Sequence, residues 1–117
     1  MQTDDGFWEG LDRFVAGRDI VVDRPRGSRH PRHPALTYPL DYGYLAGTCA
    51  ADGDGVDVWL GSRYDPERPA VTAIVCTVDL EQRDVEIKLL LGCTRSEMDT
   101  ILQAHAHGAQ RGLLVVR

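Results

Sequence analysis

The run Ala70-Val71-Thr72-Ala73-Ile74-Val75-Cys76-Thr77-Val78-Asp79-Leu80 decides the fold. It is rich in β-branched residues, which suit a pleated, buried surface, so it reads as a central strand. Glu81 to Asp84 turns the chain and Val85 to Leu91 returns as a second strand. Upstream, the strict alternation of Val56-Asp57-Val58-Trp59-Leu60 puts Val56, Val58 and Leu60 on one face and Asp57 and Trp59 on the other. Asp52-Gly53-Asp54-Gly55 before it is a turn by composition. Shorter strands are predicted at Ile20 to Asp23, around Tyr42 to Leu45, and at Leu113 to Val116. The segment between the first two cannot be a regular helix, because Pro25, Pro31, Pro34 and Pro39 remove donors and fix φ; it is expected to be an extended, irregular loop.

Two helices flank these strands. Phe7, Trp8, Leu11, Phe14 and Val15 recur at helical spacing after Asp4 and Asp5, and Gly17 stands where a left-handed cap belongs. Thr94-Arg95-Ser96-Glu97 fits a capping box and opens a helix predicted from Arg95 to His107. The pattern is an α+β domain built on a small antiparallel sheet or barrel.

The chain has 117 residues, 43% hydrophobic and 26% charged, so a single domain over residues 1–117 is expected, with a core that needs no metal or disulfide staple. Cys49, Cys76 and Cys93 never pair as C-x-x-C, which argues against a disulfide framework and a cysteine zinc site; reduced, mostly buried thiols are expected. A net charge of -5 disfavours a broad nucleic-acid or anionic-membrane footprint. The N-terminus lacks the basic start and apolar stretch of a signal peptide, and a soluble cytoplasmic protein is expected.

The charges are unevenly placed. Arg24, Arg26, Arg29, His30, Arg32 and His33 fall within ten residues that contain no acid and no Lys. Such a loop can simply be solvated, but the planar guanidinium fork pairs bidentately with phosphate oxygens, and solubility alone gives no reason to avoid Lys. Asp52, Asp54 and Asp57 form the opposite cluster. Three carboxylates in six residues repel one another unless cations or protons intervene, and this spacing lets them converge on a hard cation such as Mg²⁺ as well as form an exposed acidic turn. Asp79, Glu81, Asp84 and Glu86 decorate the later hairpin, with Lys88 two residues on; they either solubilise its tip or join Asp57 in a carboxylate bowl. An EF-hand is excluded, and neither a nucleophile elbow nor a P-loop is present. His105 and His107 are read as helix-end residues on different faces, complementing the dipole.

Taken together, Asp23-Arg24-Pro25-Arg26-Gly27-Ser28-Arg29, Tyr38-Pro39-Leu40-Asp41-Tyr42-Gly43-Tyr44 and Asp52-Gly53-Asp54-Gly55-Val56-Asp57-Val58 resemble soluble family I inorganic pyrophosphatases in order and approximate spacing. The resemblance implies an OB-like five-stranded antiparallel β-barrel with an N-terminal and a C-terminal helix. It implies Mg²⁺-dependent hydrolysis of inorganic pyrophosphate to two phosphates, with several ions and Mn²⁺ as a substitute, in a homo-oligomer. By position, Asp52, Asp57, Asp79, Glu86 and Asp23 resemble metal ligands, with Asp84 an alternative to Glu86. Asp54 resembles the carboxylate that takes a proton from the attacking water. Tyr42 and Lys88 resemble catalytic, phosphate-contacting residues, and Arg26, Arg29 and Arg32 stand for the substrate-binding cations, with Arg32 or Arg29 in place of a loop lysine. The chain departs from the family pattern at Gly55, where the family has Pro, and at Pro34, where it has an acid. Two rivals remain: a pyrophosphatase-like protein that binds metal and phosphate without turnover, and a nucleic-acid-binding OB module, which the acidic triad disfavours.

Overall fold

The computed structural model describes residues 4–117. Its elements are α1 (Asp5–Val15), β1 (Ile20–Arg24), β2 (Asp41–Leu45), β3 (Asp57–Leu60), β4 (Val71–Asp79), β5 (Asp84–Leu91), α2 (Arg95–Ala104) and β6 (Gln110–Val116). The six strands form one sheet in the order β1-β2-β3-β5-β4-β6. All neighbours are antiparallel except β3 and β5, which run parallel because the β4–β5 hairpin returns the chain to the far side of β3.

This corrects the expected five-stranded antiparallel barrel: the sheet is six-stranded, mixed and open. The reason lies in β4, which has only two edges. One pairs with β5, and the other pairs with β6 from Ala73↔Val116 to Asp79↔Gln110, so β1 cannot close upon β4, and β1 and β6 end the sheet as its two unpaired edges.

Both sheet faces are covered. Trp8 and Val15 of α1 pack with Leu45, Val58, Ile74, Leu89 and Leu91 on one face; Met98 and Ile101 of α2 pack with Trp59, Ala73, Val75 and Leu90 on the other. Hence the unbroken apolar end of β5, where Leu89 and Leu91 serve one core and Leu90 the other. The predicted alternation of β3 holds, yet Trp59 on its second face is 1% exposed because α2 lies over it. At the sheet edge, Asp12 of α1 accepts the Val71 N–H and two bonds from Arg117, fastening the helix to β4 and to the end of β6.

The capping box forms as predicted: Thr94 Oγ1 accepts from the Glu97 amide, and Glu97 Oε1 accepts from the Thr94 amide at 2.8 Å. Glu97 also accepts from the amide and hydroxyl of Ser62, so the helix start anchors the β3–β4 loop. The helix stops at Ala104, three residues short of the expectation, with His105 at its cap. All three cysteines are free, but only Cys93 is buried; Cys49 is exposed and Cys76 half-buried. No helix among the described residues is long and apolar enough to cross a membrane.

Candidate phosphate and cation site

Pairing across β2, β3 and β5 builds the site. Tyr42 lies opposite Trp59, Trp59 opposite Leu90, and Tyr44 opposite Asp57, all projecting to the α2 face. Directly paired residues share a face, so Lys88, two residues before Leu90, arrives beside Asp57. The Lys88 ammonium donates to Asp57 Oδ2 at 2.7 Å, to Glu86 Oε2 at 2.8 Å and to the Tyr42 hydroxyl at 3.1 Å. Lys88 is 5% exposed. Burial works against its charge, but Tyr42, Asp57 and Glu86 outweigh that and hold its pKa above the usual lysine range. Burial likewise raises the Tyr42 phenol, against the pull of Lys88.

Asp52 approaches from the preceding turn. Its Oδ1 accepts the Asp54 amide at 3.0 Å, with Gly53 at φ 90° between them. Glu86 beside it and the Asp54 amide hold Asp52 below the ordinary carboxylate range. Glu86 moves the other way: burial raises it, Lys88 opposes, and the neighbouring Asp52 raises it further. Asp54 is exposed on the same turn. Gly55 has a steric cause here, since a Cβ would lie 2.7 Å from Tyr44 Cδ2.

Of the candidate ligands, then, the fold gathers Asp52, Asp57 and Glu86. Asp84 instead pairs with Asp79 at the hairpin end. Asp79 Oδ1 accepts the Glu81 and Gln82 amides of the turn, and the residue opposite Glu86 is Thr77. Asp23 is exposed on β1, where the register slips between Val22 and Arg24. The donor chemistry suits a hard divalent cation: three carboxylates against one ammonium leave two negative charges in excess. A centre is not preassembled, because the ammonium lies between Asp57 and Glu86; among the described residues no three His, Cys, Asp or Glu side chains are grouped to ligate an ion.

The basic loop is more ordered than the prolines suggest. Arg29 bridges Thr37, Tyr38 N–H donates to Ser28 O, and His30 N–H donates to Leu36 O, so the loop folds back on itself as an irregular hairpin. Its return leg lays Tyr38 against Tyr42 and Trp59, with centroids 5.4 and 5.8 Å apart, and stacks His30 on Tyr38. Burial raises the Tyr38 phenol pKa, and the nearby Arg24 opposes it. Arg26, Arg29 and Arg32 are exposed, and among the described residues none has a carboxylate partner. The backbone N–H of Arg26 is fixed by Asp41 Oδ1 at 2.8 Å.

Sequence reasoning missed the residues between loop and helix. His105 is not a charged dipole partner: it is 7% exposed, its Nε2 accepts the Trp59 indole N–H at 3.0 Å, and its Nδ1 meets Gln110 Oε1 at 3.2 Å. Burial, followed by the charge of Lys88, lowers its pKa to about 4. Because α2 ends at Ala104, His107 turns toward the same cleft as His105 instead of the opposite face. The signal available was Trp59, a large aromatic on the strand face that otherwise reads as polar.

No protein-family model and no curated protein matches the sequence. In fold, the chain is similar to an inorganic phosphatase from Anaplasma phagocytophilum, with a TM-score of 0.57 and 16% identity over 83% of this chain and 81% of that one. It is also similar to an inorganic pyrophosphatase from Helicobacter pylori, with a TM-score of 0.50 and 16% identity over 70% of this chain and 63% of that one. The fold of the chain is therefore pyrophosphatase-like.

Proposed function

We propose that the protein hydrolyses inorganic pyrophosphate with Mg²⁺. The observation that carries this reading is the meeting of Asp52, Asp57, Glu86, Lys88 and Tyr42 on one sheet face, below a loop whose arginines have no carboxylate partner. Asp52, Asp57 and Glu86 would hold the cation. When bound, Mg²⁺ neutralises phosphate oxygens and acidifies water. Lys88 fixes a positive charge at the floor, with the Tyr42 hydroxyl beside it to bond a phosphate oxygen. Arg26, Arg29 and Arg32 supply the planar forks that spread charge away from the scissile bridge. Asp54, exposed at the turn that presents Asp52, takes the proton of the attacking water. Asp79 and Asp23 have no part in this assignment.

A second reading, binding of phosphate without turnover, is favoured by Thr77 standing where an acid would complete the bowl, and by the clamp of Lys88 on two of the three carboxylates. Phosphate release from pyrophosphate, with and without Mg²⁺, in wild type and Asp54→Asn separates the two. Hydrolysis requires Mg²⁺-dependent release that falls about 100-fold or more in the variant. Its absence from folded protein refutes turnover, and equal rates in both proteins refute the role of Asp54.

A further inference from the structure

Beside the Lys88 cluster, the same sheet face opens into a cleft of about 420 Å³ between α2 and the basic loop. A volume in this range suits an organic ligand and exceeds what a bare diphosphate fills. One wall is aromatic: Tyr38, Tyr42 and Trp59 stand with centroids 4.7 to 5.8 Å apart. The other wall comes from α2 and the start of β6 and is hydrogen-bonding, with Thr100, Gln103, His107 and Gln110. The Tyr42 hydroxyl and Lys88 lie at the end nearest the carboxylates.

His107 carries the chemical information. Both of its ring nitrogens are buried and neither has a hydrogen-bond partner among the described residues, whereas both nitrogens of His105 are satisfied. A neutral imidazole offers one donor and one acceptor, and leaving both unmet in a buried position is costly. Inorganic pyrophosphate presents acceptor oxygens and no flat apolar face, so it can use neither the acceptor nitrogen of His107 nor the aromatic wall. A planar heteroaromatic ring supplies both: an apolar face to lie along the Tyr38 and Tyr42 side of the cleft, and an edge with donors and acceptors for His107, Gln103 and Gln110.

We propose that the cleft receives the base of a nucleotide whose phosphates lie at Lys88, Tyr42 and the arginine loop. The placement of the phosphates rests on the function proposed above; the base site rests on the cleft and His107 alone. Calorimetry on the full chain with Mg²⁺ tests it, using two probes that resist hydrolysis: α,β-methylene-ADP and methylenediphosphonate. The nucleotide is expected to bind at least about tenfold more tightly, the increment a stacked base contributes. Gln103→Trp, at an exposed α2 position bordering the cleft, is expected to bring the two affinities together while the circular dichroism spectrum stays that of the wild type. Affinities within twofold of each other in the wild type, or a tenfold preference that survives Gln103→Trp, overturn the base site. Because neither probe turns over, failure of pyrophosphate hydrolysis leaves this result standing. Hydrolysis of pyrophosphate by a protein that shows no nucleotide preference removes this inference and leaves the function.

Discussion

Acid is expected to destabilise the protein through one side chain, His105. Its Nε2 accepts from the Trp59 indole and its Nδ1–H donates to Gln110, so the neutral ring is fully used. A second proton must go on Nε2, which strands an indole N–H on a residue 1% exposed. Burial first, and the nearby Lys88 charge second, therefore hold the folded pKa at about 4, against 6.5 for a free histidine. As pH falls through 6.5 the unfolded chain binds a proton and the folded one does not, so stability rises with pH across this window. The contribution is complete above pH 6.5 and lost as pH approaches 4. One proton over that interval, at roughly 1.4 kcal/mol per pH unit, is worth about 3 kcal/mol, a figure that already contains the cost of the stranded indole. Urea unfolding at steps from pH 7.5 to 4, followed by tryptophan fluorescence, measures it in wild type and in His105→Gln. Carboxylates titrate in both proteins, so the difference isolates the imidazole. The wild type should lose about 3 kcal/mol more than the variant across the series. Parallel pH profiles would refute the assignment of His105 as a buried neutral acceptor.

Two further substitutions probe the sheet. In Gly43→Ala the new Cβ would lie 2.9 Å from Val22 Cα and closer still to the Val21 carbonyl, so β1 cannot keep its ladder with β2; a loss of about 3 kcal/mol and fast amide exchange along β1 are expected, and a stability within 0.5 kcal/mol of wild type, by the same rule, would contradict the close approach. In Lys88→Met, Asp57 and Glu86 lose their shared cation at 30% and 16% exposure, a loss of about 3 kcal/mol at pH 7.5. Without the ammonium, nothing opposes the burial that already raises the Glu86 pKa, so Glu86 takes up its proton at a higher pH and the deficit shrinks as pH falls toward 5; an equal deficit at both pH values argues against a charge origin.

What the sequence revealed was what depends on neighbours in the chain. Thr94 and Glu97 announce the start of α2 because both halves of the capping box are local, and the alternation of Val56 to Leu60 assigns the faces of β3. Two expectations depend on distant segments and differ from the structure. The barrel expectation failed because nothing local in Gln110–Val116 says that it takes the free edge of β4. The end of α2 was placed too late because the residues after Ala104 are not helix breakers until Gly108. The chain leaves the helix where His105 can accept the Trp59 bond, a contact across 46 residues. The loop after β1 is irregular, as its prolines require, and the bridge between Arg29 and Thr37 is the one regular pairing that the sequence does not announce.

The acidic hairpin shows why spacing alone could not finish the site. Asp79 and Glu86 invite pairing by sequence, but strand register is set by the turn between them. Here the chain reverses through Leu80 to Arg83, with Arg83 at φ 59° and its amide on Asp79 O, so Asp79 faces Asp84 and Thr77 faces Glu86. Shifting the reversal by one residue pair changes which side chain meets Glu86, although the composition of the hairpin stays the same. The acid that looks like a ligand in sequence therefore spends its oxygen on turn amides, and the cluster retains three carboxylates. Lys88 escapes this ambiguity because its place is fixed from the other side: the parallel pairing of β3 and β5 aligns it with Asp57 regardless of how the hairpin turns. The positions of Tyr42, Asp57 and Lys88 accordingly follow from the β2–β3–β5 ladder and do not depend on how the hairpin turns.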